Sequence, residues 1–191
     1  MTRIIAGDLR GRALSVPKSG TRPTSDRVRE GIFSSLASRG ALGGSVLDLY
    51  AGSGALGFEA LSRGAERLTA VDSAPGAVAA LRANARALAL RPEIVAAKVG
   101  TFLARGIGTV ANAPFDLVLS DPPYDWSPDA DLAALADGDW LRDGALVVVE
   151  ASVRSPEPSF PDGYAGITSR RYGETAVWYA AWEPSPRRVE P

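Results

Sequence analysis

The chain has 191 residues, of which 46% are hydrophobic and 23% charged, and this length and composition suit one globular domain with a buried core. It contains no cysteine and no histidine, which excludes disulfides, thiolate ligands, a cysteine nucleophile and a histidine general base. With these common ligands missing, no metal site is expected. No apolar run is long enough for a signal peptide or a membrane span, so a cytoplasmic protein without membrane contact is expected.

The net charge of −1 hides an uneven distribution of charge along the chain. Residues 1–29 carry seven basic and two acidic side chains, whereas the remainder carries 14 basic and 20 acidic ones. A basic segment on an acidic body predicts that a polyanion docks there, and a merely solvated extension is the alternative. The candidate contacts are Arg10, Arg12, Lys18, Arg22, Arg27 and Arg29. Arg22 and Arg27 could instead be structural, if they pair with Asp26 or Glu30.

The first 44 residues predict a small hairpin followed by a helix. Short β-prone runs at residues 4–5 and 13–16 flank a turn-rich segment. Thr24 or Ser25 suits the N-cap of the helix, with Asp26 in its first turn. Apolar residues four positions apart mark its buried face, with Arg27 and Arg29 directed elsewhere: Val28, Ile32 and Leu36.

From residue 45 onward, strands are expected to alternate with helices. The predicted strands are near-continuously apolar, as in a parallel sheet covered by helices on both faces. They span residues 45–50, 67–72, 93–99, 115–120 and 145–150, with helices over 55–63, 75–90 and 129–136. Runs at 164–171 and 174–182 predict an antiparallel pair. The expected organisation is a basic extension (1–44), an α/β domain (45–183) and a tail (184–191).

A glycine-rich turn follows the first strand of the α/β domain and opens a helix. Glycines at 52, 54 and 57 allow a ligand to approach the backbone and the helix to pack closely on the strand. The helix N-terminus favours an anionic group of the ligand. Asp72 ends the second strand, where a carboxylate can accept hydrogen bonds from ribose hydroxyls. The candidate cofactor residues here are Gly52, Ser53, Gly54, Gly57, Asp72 and Ser73.

An acidic residue inside the first strand bears on the choice of cofactor. Asp48 lies four residues before Gly52, where it can orient the glycine loop and meet the amino group of a methionine-like moiety. The segment 46–54 therefore resembles the first motif of class I methyltransferases that depend on S-adenosylmethionine. A nicotinamide or flavin cofactor is the alternative, but in that fingerprint the first glycine follows the strand almost directly.

The tetrapeptide Asp121-Pro122-Pro123-Tyr124 follows a later strand, at the edge of the sheet where ligands bind in such folds. A proline-stiffened loop is the simpler explanation. However, the Asp121 carboxylate and the Pro122 carbonyl would accept both hydrogens of a base amine and favour its attack on a methyl donor. The two prolines fix that carbonyl, and Tyr124 offers a face on which a flipped base can stack. The predicted chemistry is methylation of an exocyclic amine.

Several segments together resemble one family of methyltransferases. Segments 3–7, 10–12, 22–30 and 51–63, with the tetrapeptide, are similar to the bacterial 16S ribosomal RNA guanine-N2 methyltransferases of the small-subunit methyltransferase D type. The resemblance implies a Rossmann-like sheet of seven mostly parallel strands with an antiparallel C-terminal hairpin. It also implies transfer from S-adenosylmethionine to N2 of guanine 966, on an assembled small subunit or late precursor. The N-terminal hairpin and basic segment are implied to contact the RNA.

One position departs from the pattern of many relatives. After the third strand they have Asp or Asn, which accepts from the adenine amino group of the cofactor, whereas this chain has Lys98. Lysine has no acceptor, so a backbone group near Val99 is the expected replacement.

Two other functions remain open from the sequence. A DNA adenine-N6 methyltransferase shares the tetrapeptide but usually needs a target-recognition domain, and only the short basic segment is present. A non-catalytic RNA-binding assembly factor is the other alternative, and the intact tetrapeptide argues against it. The oligomeric state is open, with a monomer expected.

Overall fold

A computed structural model describes residues 2–17, 25–123 and 126–184. Strands and helices alternate through most of this part, and none of its helices has the length and apolar character needed to cross a membrane. The strands are β1 Thr2–Arg3, β2 Ala13–Leu14, β3 Ser45–Leu49, β4 Arg67–Asp72, β5 Glu93–Ala96, β6 Phe115–Ser120, β7 Leu141–Ser152, β8 Tyr164–Tyr172 and β9 Thr175–Trp182. The helices are α1 Asp26–Ser38, α2 Ala55–Ser62, α3 Pro75–Ala87, α4 Val99–Leu103 and α5 Asp129–Asp137, with a short 3-10 turn at Ile107–Thr109.

Seven strands form one sheet in the order β5-β4-β3-β6-β7-β9-β8. The first five strands of that order are parallel, whereas β9 runs antiparallel to both β7 and β8. This confirms the predicted α/β fold with its antiparallel C-terminal hairpin. The chain moves outward from β3 to β5 and then returns to place β6 beside β3. The strand order therefore reverses between β3 and β6, and open α/β sheets bind ligands at such a switch point.

Two apolar layers cover the two faces of the sheet. Helices α1, α2 and α3 pack on one face, and α4 and α5 pack on the other. All five residues of β3 are buried, which explains why its sequence is nearly continuously apolar. Helix α1 begins as predicted at the Ser25 cap, whose side chain accepts from the Val28 amide, and its apolar face joins the core of the sheet.

The N-terminal hairpin is present, but its strands differ from the predicted ones. Pairing joins Thr2 to Leu14 and Arg3 to Ala13, rather than residues 4–5 to 13–16. The physical reason lies in α2: the Glu59 carboxylate accepts hydrogen bonds from the amides of Ile5 (2.7 Å) and Ala6 (3.0 Å). These amides are therefore tied to a helix and not to a neighbouring strand.

The third strand of the α/β domain also ends earlier than predicted. It ends at Ala96, and Val99, expected at its end, instead begins α4. Val99, Phe102 and Leu103 are all buried, and their spacing of three and four residues is helical. Smaller differences are that α3 ends at residue 87 rather than 90 and that β7 spans 141–152 rather than 145–150.

Candidate active site

The glycine loop lies at the carboxyl end of β3, and two carboxylates hold its backbone. Asp72, at the end of β4, accepts from the Gly52 amide through Oδ2 and from the Ala74 amide through Oδ1, both at 2.8 Å. Asp48 accepts from the Gly57 amide at 2.9 Å. Two aspartates predicted to serve the cofactor thus also fix the loop that would receive it.

Asp48 lies in an unusual environment for an acid. Only 1% of its surface is exposed. Burial raises its pKa to about 8, the Gly57 hydrogen bond opposes that shift, and the negative charges of Asp121 and Asp72 add to it. Asp121 and Asp72 therefore lie near enough to Asp48 to disfavour its ionisation, and their negative charges would attract a cationic ligand such as a sulfonium or an ammonium group.

The raised pKa of Asp48 predicts a pH-dependent stability. An ordinary aspartate ionises near 3.8, whereas Asp48 in the folded protein ionises near 8, so unfolding releases a proton at intermediate pH. The free energy of unfolding should therefore fall between about pH 5 and about pH 7.5, by about 1.4 kcal/mol per pH unit from this group, and level off above its folded pKa.

Asp48→Asn keeps the acceptor for the Gly57 amide but removes the titration. Urea unfolding of both proteins across this pH range measures the difference between their slopes. The variant should give the flatter curve. Parallel curves for the two proteins would contradict the buried, protonated carboxyl.

The glycine loop leaves room for a ligand next to its backbone. Gly52 has φ +57°, and a Cβ built on it meets only the Tyr50 carbonyl oxygen, at 3.9 Å. Gly54, by contrast, has φ +81° and would place a Cβ 2.4 Å from the Phe58 ring, so it serves the packing of α2. Gly57 is also tightly packed, because a Cβ built on it would lie 2.8 Å from Asp48 Oδ2. The open space therefore lies at Gly52, where a cofactor backbone contact was predicted.

The remaining predicted cofactor residues lie along the same edge. Ser53 is 8% exposed in the glycine loop, whereas Ser73 follows Asp72 and is exposed. Lys98 and Val99 follow β5, and β5 pairs with β4 so that Ala96 lies opposite Asp72. Lys98 is exposed and Val99 is buried at the start of α4. These residues fit S-adenosylmethionine: one acid, Asp72, suits its ribose, another, Asp48, suits its amino group, and free space remains at the glycine loop.

The predicted catalytic segment lies on the other side of the switch point. Asp121 follows β6, and its amide is 3.5 Å from the Leu49 carbonyl oxygen at the end of β3. Its carboxylate is partly exposed, Pro122 is buried and Pro123 is exposed. Tyr124 lies outside the described residues. The structure thus brings Asp121 and the glycine loop to the carboxyl ends of two neighbouring strands, β6 and β3.

A groove of about 290 Å³ opens beside this segment. Pro122 and Pro123 line one part of it, and residues at the end of β7, Glu150 and Ser152, line another. Glu150 is only 4% exposed. Sequence analysis missed this acid, because it looked like the polar end of an apolar strand. A second cavity, of about 370 Å³, lies at the opposite edge of the sheet near Gly44 and Asp116 and contains none of the predicted residues.

Two aromatic residues missed by sequence analysis lie next to the groove and share one acid. The Tyr50 hydroxyl donates to Asp131 Oδ2 at 2.6 Å, and the Trp126 side chain also hydrogen bonds to Asp131. Asp131 is 4% exposed, and burial raises its pKa while these two hydrogen bonds oppose the shift. Tyr50 has φ +60°, which is uncommon for a residue other than glycine. Strain at this position is consistent with a functional constraint.

The N-terminal hairpin is joined to the glycine loop through two helices. On α2, the Ser62 hydroxyl donates to the Ala6 carbonyl (2.6 Å) and accepts from the Leu9 amide (3.0 Å). On α3, the buried Asn84 side chain donates to the carbonyls of both Ser15 and Ser53, each at 2.9 Å. One amide group therefore connects the basic extension to the cofactor loop, a contact that no sequence pattern indicated.

The structure separates the basic residues predicted to contact RNA into three groups. Arg10, Arg12 and Arg27 are exposed, and Arg12 also donates to the Ala87 carbonyl at 2.6 Å. Lys18 and Arg22 lie outside the described residues. The prediction for Arg29 is wrong: its side chain is fully buried, pairs with Asp26 at 2.6 Å and donates to the Arg3 carbonyl at 2.8 Å. It joins α1 to the hairpin and is not available to a phosphate.

Comparison with known proteins identifies the family. The family model described as "Conserved hypothetical protein 95" matches residues 2–181. Ribosomal RNA small subunit methyltransferase D of Escherichia coli K12 is 37% identical over 177 residues, covering 91% of this chain and 86% of that protein. The chain belongs to this family of methyltransferases. The Haemophilus influenzae protein of the same name is also 37% identical, over 160 residues, and the match covers 81% of this chain and 80% of the Haemophilus protein.

A solved structure agrees with this assignment. The yhhF protein of Escherichia coli superposes with a TM-score of 0.85 at 34% identity, covering 96% of this chain and 99% of the other. The similarity therefore includes both the basic extension and the sheet. Membership of the family makes the chain a methyltransferase with a Rossmann-like fold, and this confirms the resemblance inferred from the sequence.

Proposed function

We propose that this methyltransferase transfers a methyl group from S-adenosylmethionine to N2 of a guanine in 16S ribosomal RNA. The resemblance to the family implies position 966 and an assembled small subunit or late precursor as substrate, and a cytoplasmic reaction is part of this proposal. The observation that carries the proposal is the position of Asp121 and Pro122: Asp121 lies beside the end of β3 at the switch point, and the adjoining Pro122 borders a groove. The names of the relatives support an RNA of the small subunit as substrate.

The residues around the glycine loop would hold the cofactor. Asp72 would accept from the ribose hydroxyls, since each carboxylate oxygen keeps an acceptor position besides its backbone hydrogen bond. Gly52 and Ser53 would border the methionine part, and Asp48 would meet its amino group. Val99, with Ser73 nearby, would border the adenine. Bound S-adenosylmethionine supplies an electrophilic methyl group on a sulfonium.

Asp121 and Pro122 would prepare the base amine for attack. Its lone pair is delocalised into the purine ring, so the amine is a poor nucleophile until acceptors engage both hydrogens. The Asp121 carboxylate and the Pro122 carbonyl would accept these hydrogens, and Pro123 restricts the backbone. As the bond from N2 to the methyl carbon forms, the bond from that carbon to sulfur breaks, and the proton passes to Asp121 and on to solvent. The step depends mainly on positioning.

The basic extension would position the RNA over this edge of the sheet. Arg10, Arg12 and Arg27 are the exposed candidates among the described residues. Phosphate contacts release counterions, so binding should weaken steeply as the salt concentration rises.

Replacing Arg27 by alanine should weaken binding to the small subunit and lower the slope of log K against log salt by about one. Arg105→Ala removes an exposed arginine just after α4, on the other face of the sheet, and should leave the slope unchanged. Filter binding at several salt concentrations measures both variants. Equal slopes for wild type and Arg27→Ala would show that Arg27 does not contact the RNA.

The nature of the substrate is tested by incubating the protein with labelled S-adenosylmethionine and three acceptors: unmethylated small subunits, protein-free 16S RNA and duplex DNA. Label on the subunits, with or without label on free RNA, is the expected result. Label on DNA alone would favour the adenine-N6 alternative. Tight cofactor binding with no transfer to any acceptor would favour an assembly factor.

A further inference from the structure

Trp126 is an unusually exposed aromatic residue for its position. It is 56% exposed, whereas Trp140 is fully buried and Trp182 is 9% exposed. It follows the catalytic tetrapeptide by two residues and lines the groove together with Pro122 and Pro123. A large apolar face left open at the edge of a catalytic groove is characteristic of a site that binds a ligand.

The tryptophan is also held in place. Its amide donates to the Pro123 carbonyl at 2.9 Å, and its side chain hydrogen bonds to the buried Asp131. Tyr50, which leads into the glycine loop, donates to the same carboxylate at 2.6 Å. The backbone and the side chain of Trp126 therefore each have a protein contact before any ligand arrives, which reduces the entropy lost on binding.

The charge of the groove indicates which part of an RNA would enter it. Three acids line the groove together with the proline segment: Asp129, Glu150 and Glu157. Three acids in a small groove repel phosphate groups, so the backbone of the RNA is excluded. A guanine presents N1–H and N2–H donors along one edge, and these suit a wall of carboxylates. A flat ring with donors on its edge fits both the aromatic face and the acidic wall.

We propose that Trp126, two residues beyond the predicted stacking residue Tyr124, is a second stacking platform for the nucleobase that the enzyme methylates. The inference rests on the proposed function, because it takes the occupant of the groove to be the flipped guanine. Stacking on Trp126 would hold the base flat, so that its amine reaches Asp121 and Pro122 while its N1 edge faces Glu150. Stacking of a base on an aromatic side chain contributes about 1–3 kcal/mol, which corresponds to roughly five- to 150-fold.

The test compares Trp126→Ala, Trp126→Phe and Ile167→Ala in methylation of unmethylated small subunits. Ile167 is 42% exposed on β8 and provides a control for the loss of an exposed apolar side chain. We expect Trp126→Ala to lower kcat/KM by roughly ten- to 100-fold. Trp126→Phe should keep most of the activity because it retains an aromatic face. Ile167→Ala should behave as wild type, and S-adenosylmethionine affinity should be unchanged in all three.

Three results would overturn the inference. They are a Trp126→Ala enzyme within twofold of Ile167→Ala, a Trp126→Phe enzyme as weak as Trp126→Ala, or a loss of cofactor affinity as large as the loss of transfer. Failure of the proposed function gives a different result, since the wild-type protein would then methylate another base or none. If it methylates another base, the same comparison of variants on that substrate still decides whether Trp126 acts by stacking; if it methylates none, the inference falls with the proposed function.

Discussion

Replacing Asp121 by alanine is expected to abolish most methyl transfer while leaving both ligands bound. Asp121 lies at the end of β6 next to β3, where it would accept a hydrogen of the base amine and take up the released proton. Loss of such a group lowers the rate by about 10²- to 10⁴-fold. The effect should lie in kcat, because neither the glycine loop nor the basic extension is altered. Single-turnover kinetics, with equilibrium binding of cofactor and subunit, measures the three quantities separately.

Asp137→Ala is a suitable control for this experiment, since Asp137 is an exposed aspartate at the end of α5. It should retain wild-type kinetics. Asp121→Asn adds a finer comparison, because it keeps an acceptor oxygen but removes the negative charge and the proton acceptor. A rate for Asp121→Ala within a few-fold of wild type would show that Asp121 is not a catalytic residue.

A methyl group added at Gly52 should weaken cofactor binding without unfolding the protein. A Cβ at this position meets no protein atom closer than 3.9 Å, so it enters the space expected to hold the cofactor. Overlap of this kind costs about 1–3 kcal/mol, which corresponds to roughly five- to 150-fold in affinity. Isothermal titration of Gly52→Ala with S-adenosylmethionine measures the loss.

Gly40→Ala provides a matched control for the backbone strain that alanine introduces at a positive φ. Gly40 has φ +69°, close to the +57° of Gly52, and a Cβ built on Gly40 meets nothing within 4 Å. Both substitutions should therefore destabilise the fold by a similar amount, roughly 1–2 kcal/mol. Only Gly52→Ala should lose cofactor affinity. Equal affinities in the two variants would place the cofactor away from the glycine loop.

Local patterns in the sequence were sufficient to predict the sheet and the position of the glycine turn in it. The buried run of β3, the glycine turn after it and the acid at the end of β4 depend on neighbours in sequence, so the pattern and the structure agree. Strand β5 was predicted to extend to Val99, but it ends at Ala96. An apolar run of that length is compatible both with a strand and with the first turn of a helix.

Contacts between distant parts of the chain could not be predicted in the same way. Arg29 looked like one more exposed arginine, and only the packing of the hairpin on α1 shows that it is buried. Asp131 joins Tyr50 across 81 residues, and Asn84 joins the hairpin to the glycine loop. Such polar contacts leave no periodicity in the sequence, so the groove and its aromatic wall became visible only in the folded structure.

The most direct test of the proposed function is to identify the methylated atom. Unmethylated small subunits are incubated with the protein and S-adenosylmethionine, the 16S RNA is digested, and the modified nucleoside is identified and located by mass spectrometry. The proposed function predicts N2-methylguanosine at a single position. Methylation at another atom, such as N6 of an adenine, or at many guanines without preference, would contradict it.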